Sequence, residues 1–221
     1  MICLVTDRRR LGVGDGLDCV VDLVAAAAEA GVDIVQIRER DLAADTLLEL
    51  VLRCVEAVRG RGAKIVVNDR IDVALAAGAH GVHLRSHSLN APVARGVVGP
   101  KMLVGCSVHS VGETEAASAA GAIDYAILGT LFHTQSKPDG APTLCLAELG
   151  EASRLSRVPV LAIGGVTVER TEAIARAGAA GVAGIGLFIP PRGVAPLKHL
   201  ATVVPALRRA LQMGARLGAA T

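Results

Sequence analysis

The stretch Ala30-Gly31-Val32-Asp33-Ile34-Val35-Gln36-Ile37 (AGVDIVQI, 30–37) closes an alanine-rich run and opens an apolar one. A glycine at the end of a helical pattern takes the left-handed conformation that stops a helix, and a short turn then leads into a strand. The same step returns as AGAHGVHL (77–84), AGAIDYAIL (120–128) and AGAAGVAGI (177–185). Similar strand starts lie in GRGAKIVVND (60–69) and RVPVLAIGG (157–165).

Working outward from these steps, strands are predicted near 2–6, 32–38, 64–68, 81–84, 102–107, 124–130, 159–163 and 181–186. Helical patterns fall near 17–30, 42–59, 70–78, 90–97, 111–120, 144–155, 168–177 and 195–213. Strand–helix alternation at this rhythm implies a parallel sheet, and eight units predict one α/β domain over 1–221, a (β/α)8 TIM barrel. An open doubly wound sheet would need a topological switch point, and the sequence marks none. The last helix is predicted to stop near 213, so residues after about 214 are expected to form a tail that need not be ordered.

Hydrophobic residues make up 52% of the 221, aromatics only 1%, and tryptophan is absent, so the core must be aliphatic. Such a composition suits buried parallel strands and excludes the aromatic platforms on which bases stack. A net charge of +2 likewise excludes a broad footprint for nucleic acid. The Arg8-Arg9-Arg10 run reads as a solvated loop. Five cysteines without a CxxC pair are expected to be reduced thiols packed as small hydrophobes. Charges interrupt every apolar run and no signal peptide is read before the first strand. A cytoplasmic protein with no membrane partner is expected. Assembly is left open, and a homodimer is allowed.

In a barrel, chemistry belongs at the C-terminal strand ends. Strand two ends in Gln36, Arg38 and Arg40, which share one face at a period of two and converge as a fork for phosphate or carboxylate oxygens. Strand three ends in Asn68 and Asp69, where an aspartate binds Mg²⁺, orients a base or neutralises Arg38 or Arg40. Strand four leads into His83, Arg85, Ser86, His87 and Ser88. Strand five brings Ser107, His109 and Ser110 to the mouth, with His109 suited to acid–base work near neutral pH. His80 lies in a turn on the opposite side and is expected to be solvated. After strand six, Thr134, Ser136 and Lys137 stand on a loop (132–143) with the Pro and Gly content of a lid. Glycines at the ends of strands seven (Gly164, Gly165) and eight (Gly184, Gly186) leave backbone N–H groups open to cradle a phosphate.

In that order, QIRER, VNDRIDVAL, GVHL, GCSVHS, ILGTLFHTQSK and PVLAIGGV resemble the thiamine phosphate synthase/TenI superfamily of small barrels over nearly the whole chain. The resemblance implies a thiazole phosphate as ligand and two candidate reactions. A synthase couples hydroxymethylpyrimidine pyrophosphate to thiazole phosphate with Mg²⁺. A TenI-type tautomerase aromatises a carboxythiazole phosphate without metal. Gln36, Arg38, Asn68, Asp69, Ser107 and Lys137 match synthase positions for the pyrimidine pyrophosphate and its metal. Two positions depart from that pattern. Arg40 stands where synthases usually have lysine. Ser88 stands where the fourth-strand pattern H-L-G-Q-x-D puts a metal-binding aspartate, which leaves Asp69 as the metal residue of a synthase. The missing acid and SVHS look TenI-like, so the expected activity is the tautomerase, an isomerase needing no cofactor. His109 would be its acid/base and Arg38 and Arg40 its carboxylate clamp. The synthase with Mg²⁺, a transferase, is the alternative, and a non-catalytic thiazole or thiamine phosphate binder is a third reading.

Overall fold

A computed structural model describes residues 1–12, 16–134 and 142–219. Eight parallel strands run in sequence order around a closed barrel: β1 (Ile2–Val5), β2 (Ile34–Ile37), β3 (Lys64–Asn68), β4 (Gly81–Leu84), β5 (Leu103–Val108), β6 (Tyr125–Leu128), β7 (Val160–Ala162) and β8 (Gly181–Gly184). Closure is made by β1 against β8, with Ile2 opposite Val182 and Leu4 opposite Gly184. The strands alternate with helices α1 (Asp18–Ala30), α2 (Ala44–Ala57), α3 (Ile71–Ala76), α4 (Ala91–Val98), α5 (Val111–Ala119), α6 (Leu146–Leu155), α7 (Val168–Arg176) and α8 (Pro196–Gly218). The predicted TIM barrel is the observed fold.

The opening stretch folds as its sequence implies. Gly31 sits at φ +90° and its N–H closes onto the Ala27 and Ala28 carbonyls, ending α1. In three of the four repeats a polar residue then ties down the floor of the barrel. Asp33 accepts from the backbone N–H of Ile2 at 2.7 Å, and Asp124 from that of Val104 at 2.7 Å. In the second repeat His80 plays this part, its Nδ1 accepting from Ile65 N–H at 3.0 Å. His80 is therefore half-buried and structural rather than solvated, and burial lowers its pKa.

Strand parity divides the apolar residues into two layers. Cys3, Val5, Ile34, Val66, Tyr125, Ile127, Leu161 and Ala183 fill the barrel interior. Ile2, Leu4, Val35, Ile37, Ile65 and Val67, one step out of phase, pack under the helices. Continuing the inward parity from Ile34 and Val66 brings Gln36 and Asn68 to the mouth, both buried.

Three further expectations are corrected. The last helix does not stop near 213 but continues to Gly218. Gly214 is where α8 crosses α7 so closely that a Cβ would collide with the Glu172 carbonyl oxygen. The arginine run is not simply solvated. Arg8–Arg10 form a 3₁₀ turn in which Arg8 is buried and Arg10 only partly exposed. Of the cysteines, Cys3 and Cys54 are buried as expected, whereas Cys145 is exposed at the start of α6. No helix among the described residues is long and apolar enough to cross a membrane.

Candidate active site

A cavity of about 660 Å³ opens at the C-terminal ends of the strands. It gathers Gln36, Arg38, Arg40, Asn68, Ser107, His109, Thr134, Gly164, Gly165, Gly184 and Gly186, residues spread over 151 positions of sequence from first to last. Ser136 and Lys137 lie outside the described residues, as does the centre of the expected lid. Ser110 is not a mouth residue: its hydroxyl oxygen accepts from Glu113 N–H at 3.1 Å and caps α5.

On the β2–β3 side, Gln36 Nε2 donates to Asn68 Oδ1 at 2.9 Å and the two amides brace each other. β2 ends at Ile37, earlier than predicted, yet the alternation persists because Arg38 N–H is held by the Thr6 hydroxyl at 2.9 Å. Glu39 points the other way and accepts from Arg8 N–H at 3.1 Å. Burial, with the guanidinium groups of Arg38 and Arg85 nearby, lowers the pKa of Arg40, against the opposing pull of Asp69. Three guanidinium groups thus face one carboxylate, a local surplus of two positive charges.

The cavity floor holds a polar chain that sequence reading missed. His83, 1% exposed, sits with Nε2 at 2.8 Å from the Ser107 hydroxyl and Nδ1 at 3.2 Å from the Tyr125 hydroxyl. Gly105 makes room for it, since a Cβ there would strike both the Tyr125 ring and the His83 imidazole. Burial lowers the His83 pKa to about 4, so the ring is neutral at physiological pH. Higher in the mouth, His109 Nδ1 lies 2.7 Å from the Gly129 carbonyl oxygen. A carbonyl only accepts, so Nδ1 carries the proton and Nε2 is the basic nitrogen of the neutral ring.

On the β7–β8 side, Gly164 and Gly165 adopt φ +99° and +59°. A Cβ on Gly165 would lie 2.7 Å from the His133 carbonyl oxygen and from Phe132 Cβ, so only glycine fits. Two arginines join this cup, and neither was singled out from sequence. Arg170 donates to the Gly165 carbonyl at 2.7 Å while its guanidinium lies 4.5 Å from the Phe132 ring centroid. Arg10 reaches over Gly186 and lines the cavity. The signal for Arg10 was the arginine run, but which of its members turns inward depends on the 3₁₀ turn.

Asp69 does not line the main cavity. It borders a smaller adjoining one of about 190 Å³. Its backbone is left-handed at φ +62°, a conformation for which aspartate is among the more tolerant residues. Arg85 binds Oδ2 through Nε at 2.7 Å and through Nη2, and the Ser88 hydroxyl donates to Oδ1. Ser88 Oγ itself accepts from Arg85 N–H at 2.8 Å. Mg²⁺ needs a near-octahedral set of oxygen ligands. Here the one carboxylate is held at both oxygens by hydrogen-bond donors, the Arg85 guanidinium on Oδ2 and the Ser88 hydroxyl on Oδ1. Among the described residues no three His, Cys, Asp or Glu side chains cluster to hold a metal ion. The donor set does not fit Mg²⁺.

The fold and the mouth together define a TIM-barrel protein with a cationic, anion-receptive opening at the strand C-termini. Its sequence matches the family described as "Thiamine monophosphate synthase" over residues 2–188. The chain belongs to that family, the thiamine monophosphate synthase/TenI superfamily. It is 38% identical over 189 residues to the thiamine-phosphate synthase of Roseiflexus castenholzii, covering 86% of this chain and 81% of that one. It is 42% identical over 168 residues to that of Methanoculleus marisnigri, covering 76% and 79%. Among solved structures, a thiamine phosphate pyrophosphorylase from Pyrococcus furiosus superposes with a TM-score of 0.81 at 27% identity, covering 95% of this chain and 96% of that one. These relatives carry the synthase name, so the similarity does not support the isomerase expected from Ser88.

Proposed function

We propose that the chain is a transferase of thiamine biosynthesis, joining hydroxymethylpyrimidine pyrophosphate to a thiazole phosphate. The observation that carries this reading is the uneven charge of the mouth. The β2–β4 end has three guanidinium groups against one carboxylate, a surplus that matches a pyrophosphate better than the single carboxylate of a tautomerase substrate. The opposite end offers the Gly164–Gly165 turn with Arg10, suited to a second, singly phosphorylated partner. Val5, Ile127, Ile163 and Ala183 supply apolar surface between them.

In the proposed step the bond from the pyrimidine methylene carbon to the pyrophosphate oxygen breaks, and its electron pair leaves with pyrophosphate. The thiazole nitrogen lone pair forms the new carbon–nitrogen bond. No proton has to move. Arg38 and Arg40 act by meeting the charge that grows on the departing oxygens, the kind of preorganised stabilisation that contributes most in a partly desolvated site. Holding both substrates over one floor supplies the rest. The test is to incubate both substrates with the protein, with and without Mg²⁺, and assay thiamine phosphate and released pyrophosphate. Formation of both is expected. Aromatisation of carboxythiazole phosphate with no coupling would overturn the reading.

One observation favours the tautomerase as second reading: His109, with Nδ1–H fixed on Gly129, presents Nε2 as a base at the mouth. That reading requires turnover of carboxythiazole phosphate that His109→Asn removes.

A further inference from the structure

We infer that Arg85 and Ser88 form a built-in cation lock on Asp69, so that the β2–β4 end of the mouth takes a diphosphate group with guanidinium groups alone and without a resident divalent ion. The inference deepens the reading above and rests on it only for the identity of the diphosphate.

The geometry is a closed ring. Arg85 N–H donates to Ser88 Oγ, Ser88 O–H donates to Asp69 Oδ1, and the Arg85 guanidinium returns to Asp69 Oδ2. Ser88 N–H closes the turn on the Arg85 carbonyl at 3.1 Å. Asp69 is pinned from the other side, its own N–H donating to the His83 carbonyl at 2.9 Å. Every part of the lock except Asp69 comes from one short turn after β4.

Charge explains the replacement. A divalent ion at Asp69 would have to displace charge-assisted bonds from Arg85 and then sit beside the freed guanidinium. Arg85 delivers one positive charge at the same carboxylate and keeps N–H groups in a planar fork matched to phosphate oxygens. It lines both the main cavity and the smaller one next to Asp69, so it stands at the boundary where an anion in the mouth would meet it. Arg85 lines the main cavity and Asp69 does not, which puts the cation and not the carboxylate toward the ligand. The structure therefore assigns Arg85 to diphosphate binding with Arg38 and Arg40.

The test separates metal from substrate. Chelator-treated protein is titrated with Mn²⁺ alone, followed by the electron paramagnetic resonance of the free ion. Wild type is expected to show no saturable uptake, and Arg85→Gly combined with Ser88→Asp is expected to gain a one-to-one site. Saturable uptake by wild type that Asp69→Asn removes would overturn the lock, as would a folded double variant that still takes up no Mn²⁺. A second titration uses inorganic pyrophosphate on metal-free wild type by calorimetry. Binding is expected, weakened at least tenfold in Arg85→Met; no binding, or equal binding by the variant, would overturn the role of Arg85. Neither titration depends on turnover. Failure to form thiamine phosphate would sink the proposed reaction and leave these results to stand or fall separately.

Discussion

The imidazole of His83 and the hydroxyl of Ser107 stand 2.8 Å apart on the floor of the mouth, the histidine shut away from solvent and the serine lining the cavity. Tyr125 holds the far ring nitrogen, so the Ser107 hydroxyl is oriented from beneath by a neutral ring.

That neutrality has a pH signature. The folded chain holds His83 at about 4 against an ordinary value of 6.5, so between these limits the unfolded chain takes up a proton that the fold excludes. The contribution is fully present above pH 6.5 and is lost as pH falls toward 4, amounting to ~3 kcal/mol. His83→Gln keeps hydrogen-bonding capacity but cannot titrate. Urea denaturation of wild type and variant should give stability curves that converge toward pH 4 and separate up to pH 6.5. Parallel curves would contradict the assignment.

Arg8 predicts an effect on stability. Its guanidinium binds both Asp41 oxygens at 2.6 Å and Glu39 at 3.4 Å, with the Arg8 side chain 9% exposed and that of Glu39 2%. The bond to Arg8 holds the Asp41 carboxyl well below the usual range. Arg8→Met leaves Glu39 buried without its cation and should cost about 3–5 kcal/mol, the usual result of breaking a buried pair. Chemical denaturation measures it, and a loss below about 1 kcal/mol would place the pair with weak surface bridges.

Two glycines of the cup should respond differently to alanine. Gly165→Ala puts a Cβ against His133 and Phe132 from a left-handed backbone, so the loop must move. Gly186→Ala meets only Arg10 Nη1, at 3.5 Å, with no left-handed backbone to strain. Thiazole phosphate affinity, read by calorimetry, should fall at least about tenfold in the first, a change of ~1.4 kcal/mol, and by less in the second. Equal losses would remove Gly165 from the phosphate cup.

His109 distinguishes the two reactions. Coupling needs no proton transfer, so His109→Asn should slow thiamine phosphate formation by less than about tenfold. A general acid or base would instead cost about 10²- to 10⁴-fold. A loss of that size in the coupling assay would show that His109 does more than line the mouth.

Much of the mouth was legible before any coordinates. Once AGVDIVQI is a helix end followed by a strand, parity places Gln36 inward and its neighbours outward, and closure carries Arg38, Asn68, Ser107 and Gly165 to one cavity. Asp69 was legible as a strand end but not as a locked carboxylate. Its partners lie 16 and 19 residues away on another turn, and no periodicity relates them.

The helix ends at the repeated glycines, strand parity and the order of strand tips are local properties, set by glycine conformation and by side chains alternating at a period of two, and the sequence alone determined them. Tertiary structure decided which polar groups meet: His83 with Ser107, Arg10 over Gly186, Arg85 and Ser88 on Asp69. Such pairings depend on the directions of long side chains across separate loops, and those directions exist only after the barrel has closed.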